Sequence, residues 1–145
     1  MTEINPEVLK VFGFWGSILA LKLMAMVLLT ARQRMQKRVF SNQEDLMFGT
    51  KAKIAFDDPD VERVRRAHLN DLENILPWFT ITYLWLGTGP SLWLAKILIR
   101  IFVLSRIVHT ISYIILLQQP TRAISFFVGY SIMGYQAFMT LLYYS

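Results

Sequence analysis

The 145-residue chain contains no cysteine. That excludes disulfide bonds, a thiolate nucleophile of the protein's own and any cysteine-ligated metal site. Thiol chemistry here must use a thiol brought from elsewhere. A basic leader is also missing: the opening MTEINPE is acidic, where a secretory signal begins with positive charge. The apolar run after it is too long for a signal core, so the sequence predicts an uncleaved anchor. The hydrophobic stretches lack the alternation of strands, and an open sheet cannot satisfy its backbone in lipid.

What is present is apolar surface in excess. Hydrophobic residues make up 54% of the chain and the mean hydropathy is +0.41, too apolar for a soluble domain of this length. A helix needs roughly 20 mainly apolar residues to cross a bilayer core. The sequence predicts an all-α fold, an integral membrane four-helix bundle in a single membrane domain, with spans at 8–31, 75–87, 92–117 and 123–144. The second span is short. It reaches membrane length only by extending back through ERVRRAHLNDLEN to residue 58, which puts those charges at the headgroups.

Charge in the connections gives an orientation. The segment 32–57 carries Arg32, Arg34, Lys37, Arg38, Lys51 and Lys53, whereas GTGPS at 87–91 carries no basic residue. The long connection is therefore expected in the cytosol, with both termini on the other side. Lys96 and Arg100 run against this and must snorkel or find partners. The net charge of +5 is read as topology and attraction to anionic membrane lipids, with no nucleic acid implied.

With that orientation the polar residues of the spans gather at the cytosolic end. Arg34 closes the first; Arg63, Arg66, Asn70, Glu73 and Pro77 follow a step of three or four along the second; Arg106, His109 and Tyr113 do so on the third. Two such stripes at equal depth predict a cavity between helices, lined by cations and donors and suited to a small anionic ligand. The alternative for any one of them is mutual pairing that locks helices together. Arg63 and Arg65 are read as surface or headgroup contacts, His68 and Asp71 as structural, and Lys22, alone in the first span, as an interhelical partner.

The fourth span opens PTRAISFFVGY, with Thr121 as the expected N-cap and Arg122 on the first turn, where free amides and the dipole favour an anion. Arg122 is the first choice for a catalytic cation; the alternative is a headgroup anchor. A free thiol near pKa 8.5 is mostly protonated at pH 7, and each unit of depression needs about 1.4 kcal/mol of thiolate stabilisation. A guanidinium in a poorly solvated site can supply that. Ser125 and Gly129, with Ser131 and Gly134 nearby, are small residues that let helices approach closely.

The blocks RVFSNQED at 38–45, VERVRRAHLNDLEN at 61–74, RIVHTISY at 106–113 and PTRAISFFVGY at 120–130 resemble the membrane-associated eicosanoid and glutathione metabolism family, and within it the microsomal glutathione transferase branch. The resemblance runs over nearly the whole chain. It implies a homotrimer in the endoplasmic reticulum membrane, with the mitochondrial outer membrane as a further location, and glutathione as co-substrate between neighbouring subunits near the cytosolic face. It implies glutathione contacts at Arg34, Arg66, Asn70, Glu73, His109, Tyr113 and Arg122. Asp45, in the long connection, matches a family position near the chemistry and is a secondary catalytic candidate; its alternative is a loop cap.

The prostaglandin E synthase branch departs at three positions, with arginine, serine and tyrosine in place of Leu69, Ala123 and Phe126. The expected activity is conjugation of glutathione to hydrophobic electrophiles dissolved in the bilayer, with reduction of lipid hydroperoxides by the same thiolate and no metal required. Two rivals stand beside it: a glutathione-dependent eicosanoid synthase and a non-enzymatic lipid-binding scaffold of the same family.

Overall fold

A computed structural model describes residues 3–49 and 51–145. Met1 and Thr2 of the acidic leader, and Thr50 of the long connection, lie outside them. Four helices account for most of the chain: α1 (Pro6–Lys37), α2 (Pro59–Leu86), α3 (Leu92–Ile111) and α4 (Gln119–Tyr144). A π-helical turn, Ser112–Leu116, continues α3. Three of the helical stretches are long and apolar enough to cross a membrane: Pro6–Lys37, Leu92–Leu116 and Gln119–Tyr144. The exception is α2, whose first half is charged.

Each helix start follows from local chemistry. Asn5 caps α1 by accepting from the Glu7 amide at 2.9 Å. Asp58 caps α2 by accepting from Asp60 and Val61, with Pro59 behind it where a missing N–H costs nothing. Ser91 caps α3. The cap of α4 is Gln118, three residues before Thr121, because Pro120 fits the first helical turn and the helix starts through it. Arg122 still lies in that turn, but its own amide is bonded to the Gln118 carbonyl, and Pro120 has no amide to offer.

The segment between α1 and α2 holds a feature that periodicity did not signal. Arg38 adopts a left-handed conformation (φ 55°) that ends α1, and Val39–Phe40 (β1) then pairs in parallel with Lys53–Ile54 (β2). A 3₁₀ turn, Gln43–Phe48, lies between the strands. Two residues per strand are too few to show alternation.

The helices form a square. Contacts join α1 to α2 and α3, and α4 to α2 and α3; α2 and α3 meet sparingly across the diagonal, and among the described residues α1 and α4 do not meet. Across the diagonal, the Trp78 ring of α2 stacks on Phe102 of α3 with centroids 4.7 Å apart, and Phe12 of α1 lies 5.5 Å from Trp78. Between α2 and α4, Thr82 donates to Gln136 at 2.9 Å in a buried setting. The Ser125 and Gly129 face of α4 packs on α3: a Cβ at Gly129 would lie 3.0 Å from Ser105 Oγ. Gly134 has open space around it, so within one chain the close approach is made at Ser125 and Gly129.

Asp71 ties this frame together. It is fully buried, accepting from Lys22 of α1, from Arg106 of α3 at 3.0 Å and from Thr110 of α3 at 3.2 Å. Lys22 thereby has its carboxylate, and Asp71 bridges helices instead of reaching the long connection. Lys96 pairs with Glu7 at 2.8 Å, whereas Arg100 is exposed with no partner among the described residues. Replacement of Asp71 by alanine leaves Lys22 and Arg106 buried and uncompensated; thermal unfolding in detergent should show a loss of about 3–5 kcal/mol.

Outside the spans, Lys37 at the end of α1 pairs with Asp60 at the start of α2, and Arg63 reaches the same carboxylate at 3.0 Å. The hydrogen bond and charge of Lys37 hold the Asp60 carboxyl below its ordinary value. A carboxyl depressed by folding contributes stability above its unfolded pKa and loses it as pH falls through the folded one. Wild type should therefore lose melting temperature on acidification through that range, and Asp60→Asn should have a flatter acid limb.

Candidate functional site

The stripe Arg63, Arg66, Asn70, Glu73 and Pro77 does share one side of α2, but that side is not the one packed in the bundle. The inward face runs Val64, Ala67, Asp71, Asn74, Ile75, Trp78, Thr82 and Trp85. Successive helical residues are rotated by about 100°. Asp71 therefore points to the centre, while Arg66 and Glu73 are exposed and Asn70 is half-buried at the boundary. Within one chain the two polar stripes do not enclose a single interior cavity, which differs from the sequence expectation.

The residues instead fall into two groups. In the first, the α1 and α2 faces form an open groove of about 520 Å³ whose lining includes Thr30, Arg34, Glu62, Arg65, Arg66 and His68. Arg34 Nη1 is buried there without a hydrogen-bond partner, an unsatisfied donor of the kind a ligand or water fills. Arg65 is held at 2.5 Å by Glu62 one turn back, which leaves Arg34 and Arg66 as the groove's cations without carboxylate partners among the described residues. His68, read from sequence as structural, lines the groove.

In the second group, the end of α3, the π-turn and the start of α4 bring His109, Tyr113 and Arg122 together. The Arg122 guanidinium lies 4.6 Å from the Tyr113 ring centroid, and Tyr113 and His109 rings are 5.7 Å apart. Arg122 also donates to Gln119 one turn back, a neutral partner that leaves its charge uncancelled. Phe126 lies 6.3 Å from His109 and stacks on Tyr130. A cation held over an aromatic face, with no carboxylate beside it, is suited to stabilise an anion that arrives as a ligand.

Two candidates sit apart from both groups. Glu73 is exposed and unpaired among the described residues, and Pro77 leaves its carbonyl without the usual helical donor. Asp45 lies in the 3₁₀ turn, where its recorded partner is Asn42 at 3.4 Å. Asn70 contacts α3, accepting from Arg106 at 2.6 Å. Arg106, placed by sequence on the same stripe as His109, is fully enclosed and bonds Asp71 and Asn70 through Nη2. No group of three metal-ligating side chains occurs among the described residues.

The sequence pattern of the MAPEG family matches residues 12–142. The chain belongs to the MAPEG family. Among the relatives of this MAPEG protein, microsomal glutathione S-transferase 1 of Rattus norvegicus is 46% identical over 147 residues, covering 97% of this chain and 95% of the relative. Microsomal glutathione S-transferase 1 of Homo sapiens is 44% identical over 151 residues, covering 99% and 97%. Prostaglandin E synthase of Bos taurus is 33% identical over 123 residues, covering 85% and 80%. As a MAPEG protein with three helices long and apolar enough to span, the chain is an integral, multi-pass membrane four-helix bundle.

Proposed function

We propose that this MAPEG protein is a membrane glutathione transferase that conjugates glutathione to hydrophobic electrophiles. The observation that carries the reading is identity of 44–46% over nearly the whole chain to relatives named for that activity. The two groups of side chains fit its chemistry. Arg34 and Arg66 offer guanidinium forks to the glutathione carboxylates, Asn70, His109 and Tyr113 add hydrogen bonds, and the unpaired Glu73 is suited to the amino group. Arg122, with no carboxylate beside it, stabilises the thiolate.

In the reaction, the thiol proton leaves to solvent, the thiolate sulfur forms a bond to the electrophilic carbon, and a leaving group such as halide departs with its electron pair. Partition of the electrophile into lipid brings it to the bundle, while glutathione approaches from the aqueous side. Attack of the same thiolate on a lipid hydroperoxide would give a peroxidase activity, with a second glutathione completing the disulfide. Asp45 is retained as a secondary candidate whose connection would have to bring it to the reacting atoms.

The assembly and address belong to the same proposal. Arg34 and Arg122 stand on helices that do not meet within one chain, which supports a site completed between copies, and a homotrimer is the arrangement we propose. The endoplasmic reticulum membrane, with residues 32–57 on the cytosolic side of a single membrane domain, accords with the names of the transferase relatives and with the basic residues of that segment. A second reading, a glutathione-dependent eicosanoid synthase, draws on the 33% relative. Leu69, Ala123 and Phe126, where that branch resembles arginine, serine and tyrosine, weigh against it.

The deciding measurement is ultraviolet absorbance of the thiolate as glutathione is added to detergent-purified protein, followed by turnover of an aryl halide. Wild type should show thiolate near neutral pH; Arg122→Ala should lose it, and turnover should fall roughly 100-fold. No glutathione binding by wild type would favour a lipid-binding scaffold, and much faster turnover of an endoperoxide than of the aryl halide would favour the synthase. Arg34→Ala and Arg66→Ala should each raise the glutathione KM about tenfold with little change in kcat, since they serve binding in both ground and transition states.

A further inference from the structure

The buried ions around Asp71 do more than join helices. Asp71 divides its two oxygens: Oδ2 accepts from Lys22 and from Thr110 Oγ1, while Oδ1 accepts from Arg106 Nη2 at 3.0 Å. The same Nη2 donates to Asn70 Oδ1 at 2.6 Å and lies 3.4 Å from His109 Nδ1. Arg106 Nε and Nη1 are buried without partners. An arginine serving only as cement between helices would be poorly used here, because orphaned donors at this depth are costly.

A guanidinium donates hydrogen bonds and never accepts them. Asn70 must therefore turn its carbonyl oxygen towards Arg106. Its Nδ2 then points the other way, and no acceptor reaches it among the described residues. Both Nη2 hydrogens go to Asn70 Oδ1 and Asp71 Oδ1, so the 3.4 Å approach of His109 Nδ1 fixes no tautomer of that ring. A free carboxamide could offer either end to a ligand, whereas this one can offer only its donor.

We propose that Arg106, held in place by Asp71, is a positioning residue that sets the hydrogen-bond polarity of Asn70, so that its carboxamide presents an N–H donor to an anionic ligand. The inference rests on the reading of that ligand as glutathione, whose carboxylates require donors. It gives work to Asp71 and Arg106, which act through Asn70.

Charge arithmetic chooses the variant. Lys22 and Arg106 against Asp71 leave one surplus positive charge, so Arg106→Met leaves a balanced Lys22 and Asp71 pair in the bundle. Glutathione binding would be measured by calorimetry on the full-length detergent-solubilised protein, for wild type, Arg106→Met, Asn70→Ala and the double variant. Each single change should weaken binding about tenfold, and the double variant should be within about twofold of Asn70→Ala, because Arg106 acts chiefly through Asn70. An unchanged Kd in Arg106→Met, or losses that multiply in the double variant, would overturn the proposal.

Asn70→Asp supplies the test should Arg106→Met fail to fold. It keeps an acceptor for Arg106 and improves the charge balance, but turns the outward group from donor to acceptor. Its melting temperature should hold or rise while glutathione binding falls about tenfold or more. Binding as tight as wild type would sink the polarity argument. Wild type that takes up no glutathione at all would sink the functional reading and this inference with it, whereas the other adverse outcomes sink the positioning role alone.

Discussion

One carboxylate surrounded by two cations holds this bundle in register. Asp71 faces Lys22 on one neighbour and Arg106 on the helix across the diagonal, and all three lie where water is scarce. Ions in such a place attract strongly and are costly to separate, so their geometry is specific in a way that aliphatic packing is not. The Trp78 and Phe102 stack repeats the diagonal contact at another level, and the Thr82 and Gln136 hydrogen bond secures the side towards α4. The polar contacts select one rotation of α2, and the aromatic ones fill the space that this rotation leaves.

That rotation decides what the rest of α2 can do. With Asp71 inward, Arg66 and Glu73 turn to the outer surface and Asn70 takes the boundary between the two. The groove beside α1 and the cluster at the start of α4 are thereby separate places on one chain. A ligand with carboxylates at one end and a thiol at another suits such a division, because its recognition and its activation are separate tasks.

Four helices were legible because long apolar runs and a turn-forming GTGPS leave few other readings in lipid. The candidate cations were legible as residue types, since charge inside such runs is rare enough to notice. Which way they faced was not. Asn70 and Asp71 are adjacent in sequence and differ by one helical step, yet one is half-buried at the edge of the packed face and the other sits at the centre of the bundle. The pairing of Lys22 with Asp71 spans 49 positions, and no local period encodes it. The start of α4 was misplaced at Thr121 because Pro120 reads as a stop, although it is equally at home in a first turn. The β1 and β2 ladder was too short to leave a pattern.

The charged first half of α2 has a consequence for biogenesis. By hydropathy alone this is the helix that an insertion machinery would accept least readily, since the other three carry the apolar length and α2 does not. Lys22 gives α1 a complementary defect, a cation in mid-span. Each helix neutralises the other's liability, so the favourable route into the bilayer is as a pair of antiparallel helices that enter together. The Lys22 and Asp71 pair thus suits α1 and α2 to entering the bilayer together, as a hairpin.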